Sequence, residues 1–356
     1  MKQNFDTSAL RQTAAEIQGA VKPKSITPDM VGGLFSALVE KQGEFVDTFS
    51  GVGSTIAVTA KCRAITDIDN YEEENAVGAT VYVDMFAVGV GVAKALPTQE
   101  FIADENGEVV FTVPCGYSFA VYSKYSGYSA SCQFAYDAGE SDMTIDLWNY
   151  PIGVFGLGDG CLYRTAEELA DDVVNGIAVC TENTSFCILH HRTENYIQWG
   201  RYGETVPALP KLYSEDWDEA QAMARADYNG NLNTHKILKV HRATPAATWA
   251  DGYSLNPYYV HHQYFLPSAG QLYLMYQNKS VIDAMIDVLN EAGYEFDKLD
   301  SDYYWSSSQY DEFCAWYVGM YGGSTNDNLR TATTMCAPSP LFNYIRLFVR
   351  SGATIL

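Results

Sequence analysis

The side chains with the most chemical reach lie between Asp302 and Gly323: Asp-Tyr-Tyr-Trp-Ser-Ser-Ser-Gln-Tyr-Asp-Glu-Phe-Cys-Ala-Trp-Tyr-Val-Gly-Met-Tyr-Gly-Gly. Tyr and Trp offer large contact area at low entropic cost, and Ser and Gly offer adaptable hydrogen bonding. The chemistry this mixture suits is non-covalent recognition. A strand–turn–strand with aromatic packing is the plainer reading. Covalent chemistry has weaker signals. His190 and His191, and His261 and His262, form adjacent pairs, but neighbours in a strand point to opposite faces and do not chelate as a unit. His235 and His241 stand alone. Cys62, Cys115, Cys132, Cys161, Cys180, Cys187, Cys314 and Cys336 are scattered without a Cys-x-x-Cys, which fits small reduced thiols in a core. No Gly-x-Ser-x-Gly, phosphate loop or dinucleotide fingerprint occurs. The expectation is a protein that is not an enzyme and needs neither cofactor nor metal.

The 356 residues suffice for two or three domains. A formal net charge of −22 disfavours nucleic-acid backbones and anionic lipid surfaces, both of which demand Lys and Arg. The opening Met-Lys-Gln-Asn-Phe-Asp-Thr lacks an apolar signal core, and no apolar run is long enough to span a bilayer. The expectation is synthesis in the cytoplasm without a signal peptide, then a place on a virion or a cell surface.

The elements that must position the aromatic stretch fall into three parts. In residues 1–50, Leu10, Ala14, Ile17 and Val21 share one helical face, and Lys22-Pro23-Lys24 breaks it. Thr27-Pro28-Asp29 restarts a helix carrying Met30, Val31, Leu34, Phe35, Leu38 and Val39. Two such stripes are expected to self-associate, as in a trimer, or to attach to a larger assembly. Residues 54–148 alternate in short strands: Thr55–Ala60, Ala79–Met85, Val109–Val113, Ser118–Tyr122 and Met143–Trp148. Asp104-Glu105-Asn106-Gly107 carries a hairpin-turn signature. Together they predict an all-β sandwich of prealbumin or immunoglobulin type acting as a spacer. From 149 to 356 the pattern mixes strands near Gly176–Val179 and Phe186–Leu189 with helices near Glu215–Arg225, from Ser268 and from Ser280. Trp217, Ala220, Met223 and Ala224 would face inward, as would Val281, Ala284, Met285, Val288 and Leu289. The fold class expected is therefore multidomain α+β.

Two resemblances add to this. The run from Gly78-Ala79-Thr80-Val81 through Val113-Pro114-Cys115-Gly116-Tyr117 resembles the carboxypeptidase-regulatory-like sandwich. Further on come Trp199-Gly200, Asp227-Tyr228-Asn229-Gly230, Phe265-Leu266-Pro267-Ser268, Tyr304-Trp305-Ser306-Ser307, Ala315-Trp316-Tyr317-Val318 and Asn343-Tyr344-Ile345-Arg346. That order resembles the C-type-lectin-fold variable proteins of gut Bacteroidales and their phages, which are the targets of diversity-generating retroelements. The resemblance implies a C-type-lectin-like C-terminal domain whose residues 302–343 are rewritten at Asn-type codons. It implies a fixed scaffold of Tyr304, Trp305, Trp316 and Met320. It implies varied, ligand-facing positions at Asp311, Phe313, Cys314, Tyr317, Gly319, Tyr321, Ser324, Asn326, Asp327, Asn328, Arg330, Phe342 and Asn343. The implied role is recognition of a bacterial surface protein or glycan, as at a phage tail-fibre tip or on an adhesin. The alternative is a structural adhesin or fimbrial subunit without a varied site. A third reading, a catalyst like the formylglycine-generating enzymes that share the fold, would use Cys314 and Cys336.

Overall fold

The structure, a computed structural model, describes residues 54–89, 92–158, 161–169, 174, 176–188, 197–240, 244–252, 264–299, 303–329, 333–334 and 339–340. The N-terminal helices expected over residues 1–50 lie outside these residues, as do His190, His191, His241, His261, His262 and Cys336. The chain is mostly antiparallel sheet with a few helices. No described helix is long and apolar enough to cross a membrane.

The first nine strands are β1 (Thr55–Asp67), β2 (Glu72–Asn75), β3 (Thr80–Gly89), β4 (Val92–Ala95), β5 (Gln99–Ile102), β6 (Glu108–Pro114), β7 (Ser118–Lys124), β8 (Phe134–Asp137) and β9 (Met143–Asn149). β1 pairs with β2, β6 and β9, the last in parallel. β3 pairs with β4, β5 and β7, and β7 pairs with β8. The period-two side-chain alternation decides which faces meet. Ile56, Val58, Ala60 and Cys62 of β1 turn inward with Val109, Phe111 and Val113 of β6. Across the layer they meet Val81 and Val83 of β3 and Phe119 and Val121 of β7. Each large apolar side chain buried in this way contributes roughly 1.5–3 kcal/mol.

The Asp104–Gly107 turn forms where the sequence placed it, but it is not a hairpin. β5 belongs to the sheet of β3 and β6 to the sheet of β1, so the turn carries the chain from one layer to the other. Asp104 Oδ1 accepts from the backbone N–H groups of Asn106 and Glu108, both at 2.9 Å. Gly107 takes φ +72°, and a Cβ there would come within 2.7 Å of the Cys62 carbonyl. The turn chemistry was legible; the pairing partners are set by distant strands.

The rest of the chain begins with β10 (Gly153–Leu157), β11 (Leu162–Tyr163), helix α1 (Ala166–Leu169), β12 (Gly176–Cys180), β13 (Ser185–Ile188) and β14 (Ile197–Gln198). Helices α2 (Trp217–Arg225), α3 (Gly230–Val240) and α4 (Pro245–Gly252) follow. Then come β15 (Tyr264–Phe265), α5 (Ala269–Gln277), α6 (Lys279–Glu291), the ribbon β16 (Tyr303–Gln309), β17 (Cys314–Gly319) and β18 (Thr325–Leu329), and the short β19 (Thr333–Thr334) and β20 (Ser339–Pro340). Asp216 caps α2 by accepting from Asp218 and Glu219 N–H, and a Ser268–Gln271 capping box starts α5. α6 begins after Asn278, so Ser280 lies inside the helix rather than capping it. Its buried face is Ile282, Met285, Ile286 and Leu289, while Val281 and Ala284 are exposed. This corrects the expected face by about one residue in rotation: Ile282 and Ile286 meet the core in place of Val281 and Ala284.

The two halves share packing. Trp148, Tyr150, Cys132 and Phe134 lie in the same apolar cluster as Phe155, Phe186, Leu272 and Trp316. A buried polar seam accompanies it. Ser185 Oγ donates across it to the Ala130 carbonyl at 2.6 Å, and within the first half Asn149 holds that segment, its Nδ2 donating to the Ser129 carbonyl at 2.8 Å and its Oδ1 accepting from Ser123 Oγ at 2.9 Å.

Candidate functional site

The ribbon β16–β17–β18 is pinned from both sides. Paired residues share a face, so Tyr304, Val318 and Trp316 lie together and Trp305, Tyr317 and Asn326 lie on the other side. The first group packs into the large cluster with α5 and α6. Trp305 and Ala315 pack instead with Trp199, Ile237 and Leu266. Three indole N–H groups lock the arrangement by donating to carbonyls far away in sequence. Trp199 donates to Ser306 at 2.7 Å, Trp305 to Ile197 at 3.0 Å and Trp316 to Leu212 at 3.2 Å. Tyr304, Trp305, Trp316 and Met320 are all buried.

The serines do not behave as adaptable binding groups. The β16–β17 register shifts between Trp305 and Gln309, and Ser306, Ser307, Ser308 and Gln309 are all buried. Ser306 Oγ donates to the Trp316 carbonyl at 2.7 Å, and Gln309 Oε1 accepts from Val206 N–H at 2.8 Å. Helix α2 fastens the outer strand: Gln221 Nε2 donates to the Thr325 carbonyl at 2.8 Å and Arg225 Nε to Thr325 Oγ1 at 3.1 Å.

The expected ligand-facing positions do not form one face. At the β16–β17 turn, Phe313 is 38% exposed, Cys314 is half-buried, and Asp311 Oδ1 accepts from the N–H groups of Phe313 and Cys314, both at 2.7 Å. Asp311 therefore builds the turn. At the opposite end of the ribbon, about 20 Å away at the rise of an extended strand, Tyr321 is 80% exposed beside the exposed Ser324. Between them Asn326 and Asn328 are exposed, and Asp327 and Tyr317 are half-buried. Gly319 is not a display position. It is buried, and a Cβ there would lie 2.7 Å from Ser324 Oγ and 3.0 Å from the Tyr303 ring. Arg330, Phe342 and Asn343 lie outside the described residues.

The structure adds aromatics that periodicity did not single out. The Tyr202 and Phe313 rings lie 4.9 Å apart, Tyr213 meets Tyr310 edge-on at 5.3 Å, and Tyr310 meets Trp316 edge-on at 5.2 Å. Trp217, read as an inward residue of α2, is 37% exposed and lies 5.5 Å from Trp316. Tyr202 and Tyr213 sit in aperiodic loops, where no sequence pattern assigns a face. Burial, then the charges of Asp327 and other neighbours, raises the Tyr310 phenol; burial, then Tyr303 and Asp327, raises that of Tyr317. Both stay neutral at physiological pH, as phenols able to donate. The turn is braced by Lys211, whose Nζ lies 2.7 Å from Glu312 Oε2, and by Gly203 N–H, which donates to the Glu312 carbonyl at 2.9 Å. Among the described residues no group of three or more His, Cys, Asp or Glu is placed to hold a metal.

No protein-family model matches the chain, and no curated protein matches it significantly. Among solved structures, a fimbrial protein from Bacteroides ovatus ATCC 8483 is 13% identical with a TM-score of 0.40, over 80% of this chain and 70% of that one. The shaft pilin SpaA from Lactobacillus rhamnosus GG is 14% identical with a TM-score of 0.20, over 28% of this chain and 47% of that one. At such TM-scores neither likeness bears on function.

Proposed function

We propose that the chain is a non-enzymatic adhesive protein displayed at a cell or particle surface, gripping a bacterial surface protein or glycan through the β16–β17 end of its ribbon. The observation that carries this reading is four exposed aromatics about the β16–β17 turn: Tyr202 and Phe313 packed on each other, and Tyr213 and Trp217 packed on Tyr310 and the buried Trp316. Exposed aromatics on a rigid base are the groups that dominate binding energy at interfaces. The test is adhesion of the full chain to a panel of bacterial cells and a glycan array. Tyr202→Ala with Phe313→Ala should lower retention at least tenfold with an unchanged melting temperature. Undiminished retention would move the adhesive face elsewhere.

The retroelement-variable reading, with a C-type-lectin-like C-terminal domain, is the finer proposal. It is supported by the order of Trp199, Ser306, Trp316 and Leu212 contacts that freezes a backbone beneath exposed side chains. The structural-subunit reading, a fimbrial or adhesin protein with a fixed site, is favoured by Asp311 and Gly319. Both hold the backbone in place, and free rewriting would disturb it. An imperfect repeat of the coding sequence for residues 302–343 beside a reverse-transcriptase gene separates the two; its absence leaves the fixed-site reading.

A further inference from the structure

The aromatics about the β16–β17 turn fall into two groups that differ in charge. Tyr202 and Phe313 lie beside Glu312, whose charge Lys211 balances. In the other group Tyr310 meets Tyr213 edge-on at 5.3 Å and Trp217 at 6.2 Å. Trp217 leans one face at 33° toward the buried Trp316, 5.5 Å away. An indole has two faces, and Trp217 is 37% exposed, so the second face is the one open to solvent.

The charges around that face are negative. Asp327 pairs with Trp316 across β17–β18, so the two share a face of the ribbon. Gln221 of α2 bonds Thr325, two strand residues before Asp327 on that face. Trp217 lies one helical turn before Gln221, which brings it level with Asp327. Asp327 is half-buried, and among the described residues no Lys, Arg or His lies within ion-pair distance of it. Glu215, Asp216 and Asp218 are exposed on either side of Trp217 in the chain. The N-terminus of α2 brings about half a positive charge to this end, which Asp216, Asp218 and Glu219 more than offset. The cations of the neighbouring segments are engaged. Lys211 is paired with Glu312, and Arg225 bonds Thr325 Oγ1 at 3.1 Å and lies 4.4 Å over the Tyr273 ring.

We infer that this part of the ribbon receives a cationic side chain, a Lys or Arg presented by a partner protein, seated on the open face of Trp217 with Asp327 as its counter-charge. The inference rests on the adhesive reading of the ribbon and narrows its ligand from protein or glycan to protein. The face of an indole is the negative part of its quadrupole and the strongest aromatic seat for a cation. A neutral glycan would leave the Asp327 charge unmatched. An acidic glycan would meet like charges and be repelled. The formal net charge of −22 draws basic partners toward the chain as a whole, and Trp217 with Asp327 gives one of their side chains a defined seat.

The test is an NMR titration of the full chain, isotope-labelled at its tryptophan nitrogens, with the end-blocked peptide Gly-Lys-Gly-Arg-Gly at millimolar concentration. The same peptide carrying acetyl-lysine and citrulline is the uncharged control. Trp217→Phe assigns the Trp217 indole N–H signal by its loss. The charged peptide should shift that signal and bind at least tenfold more tightly than the control. Asp327→Asn should weaken the binding at least threefold. Glu105→Gln, which removes an equal charge from an exposed turn of the sandwich, should leave it unchanged. The comparison of the two peptides on the unaltered chain stands by itself should Asp327→Asn fold poorly. No shift with the charged peptide, or equal binding of both peptides, overturns the inference. Equal weakening in Asp327→Asn and Glu105→Gln overturns it as well, because diffuse attraction by net charge would then suffice. Cell retention that is lost in Tyr202→Ala with Phe313→Ala but unchanged in Asp327→Asn sinks the cationic occupant alone and leaves the adhesive ribbon standing. Retention unchanged in both, with no peptide shift, sinks both readings.

Discussion

Ser308 Oγ donates to Asp227 Oδ2 at 2.6 Å across 81 positions of sequence, joining the floor of the ribbon to the turn before α3. The same carboxylate oxygen accepts from Asn233 Nδ2 at 2.9 Å, and the other accepts from Asn229 N–H at 3.1 Å. Ser308 also accepts from Ala269 N–H at 2.9 Å, at the start of α5. One buried carboxylate thus sets the relative placement of two helices and a strand.

Removing that carboxylate strands several buried donors at once. Hydrogen bonds to a charged group contribute about 1.5–3 kcal/mol each, and unsatisfied buried partners add to the loss. Asp227→Ala is expected to cost about 3 kcal/mol or more in urea unfolding, and Ser308→Ala about 1–2 kcal/mol. A double-mutant cycle should show a coupling of at least about 1 kcal/mol. Additive losses would mean that the two side chains act separately.

Along the ribbon, stability should follow packing rather than the expected display pattern. Tyr321→Ala is expected to change stability by less than about 0.5 kcal/mol, as exposed substitutions do. Trp316→Ala should cost about 3–5 kcal/mol, because it empties a core site and frees the Leu212 carbonyl. Gly319→Ser is the discriminating variant. Its side chain would meet the Tyr303 ring and Ser324, so overpacking of about 1–3 kcal/mol is expected. Denaturant midpoints for the three variants check the order, and a silent Gly319→Ser would restore that position to the display set.

How much of this was legible in the sequence depends on what decides each feature. β1 and β6 were readable because alternation is local, and the α5 start because a capping box is local. The Asp104–Gly107 turn was readable as a turn but not as a crossover, since sheet membership depends on β3 and β1. Which of Trp305, Trp316 and Tyr321 is buried was not readable from local pattern, because all three are aromatics in one Tyr- and Trp-rich run. The burial of Ser306–Gln309 was not readable, because it depends on a register shift and on partners such as Val206 and Asp227. Tyr202 and Tyr213 were missed for the same reason: their aperiodic loops assign them no face, and what brings them to Phe313 and Tyr310 is the fold.

The seam between the halves carries an acid-sensitive contact. Burial alone would raise the Asp137 carboxyl, but hydrogen bonds from His235 Nε2 at 3.1 Å, Lys239 Nζ at 2.7 Å and Ser118 Oγ at 2.6 Å outweigh it and hold it well below the usual carboxylate range. A folded-state pKa below the unfolded value, near 3.9, means stability present above that value and lost as pH falls through the folded one. Asp137 is about half exposed, so solvent screening keeps the effect small. Asp137→Asn should lower stability at pH 7 and flatten the decline between about pH 4 and lower pH. Parallel acid-unfolding curves for the two proteins would contradict it.

The buried thiols give a reactivity order that needs no ligand. Only the thiolate attacks an alkylating reagent, so a raised pKa and burial both protect a cysteine. Burial pushes Cys62 and Cys180 up to about 12, and Cys187 also well above its ordinary value. Cys115, Cys161 and Cys314 are only half-buried. Native protein treated with iodoacetamide at pH 8 should therefore label Cys314, Cys115 and Cys161 and leave Cys62, Cys180 and Cys187 unmodified until denaturant is added, as read by peptide mass spectrometry. Cys62 reports on the sandwich core and Cys187 on the cluster shared by both halves. Labelling of both at one denaturant concentration would show that the halves unfold as a unit, as the Ser185 bonds to Ser129 and Ala130 and the shared apolar cluster favour. Labelling of Cys62 well before Cys187 would show that the seam does not couple them.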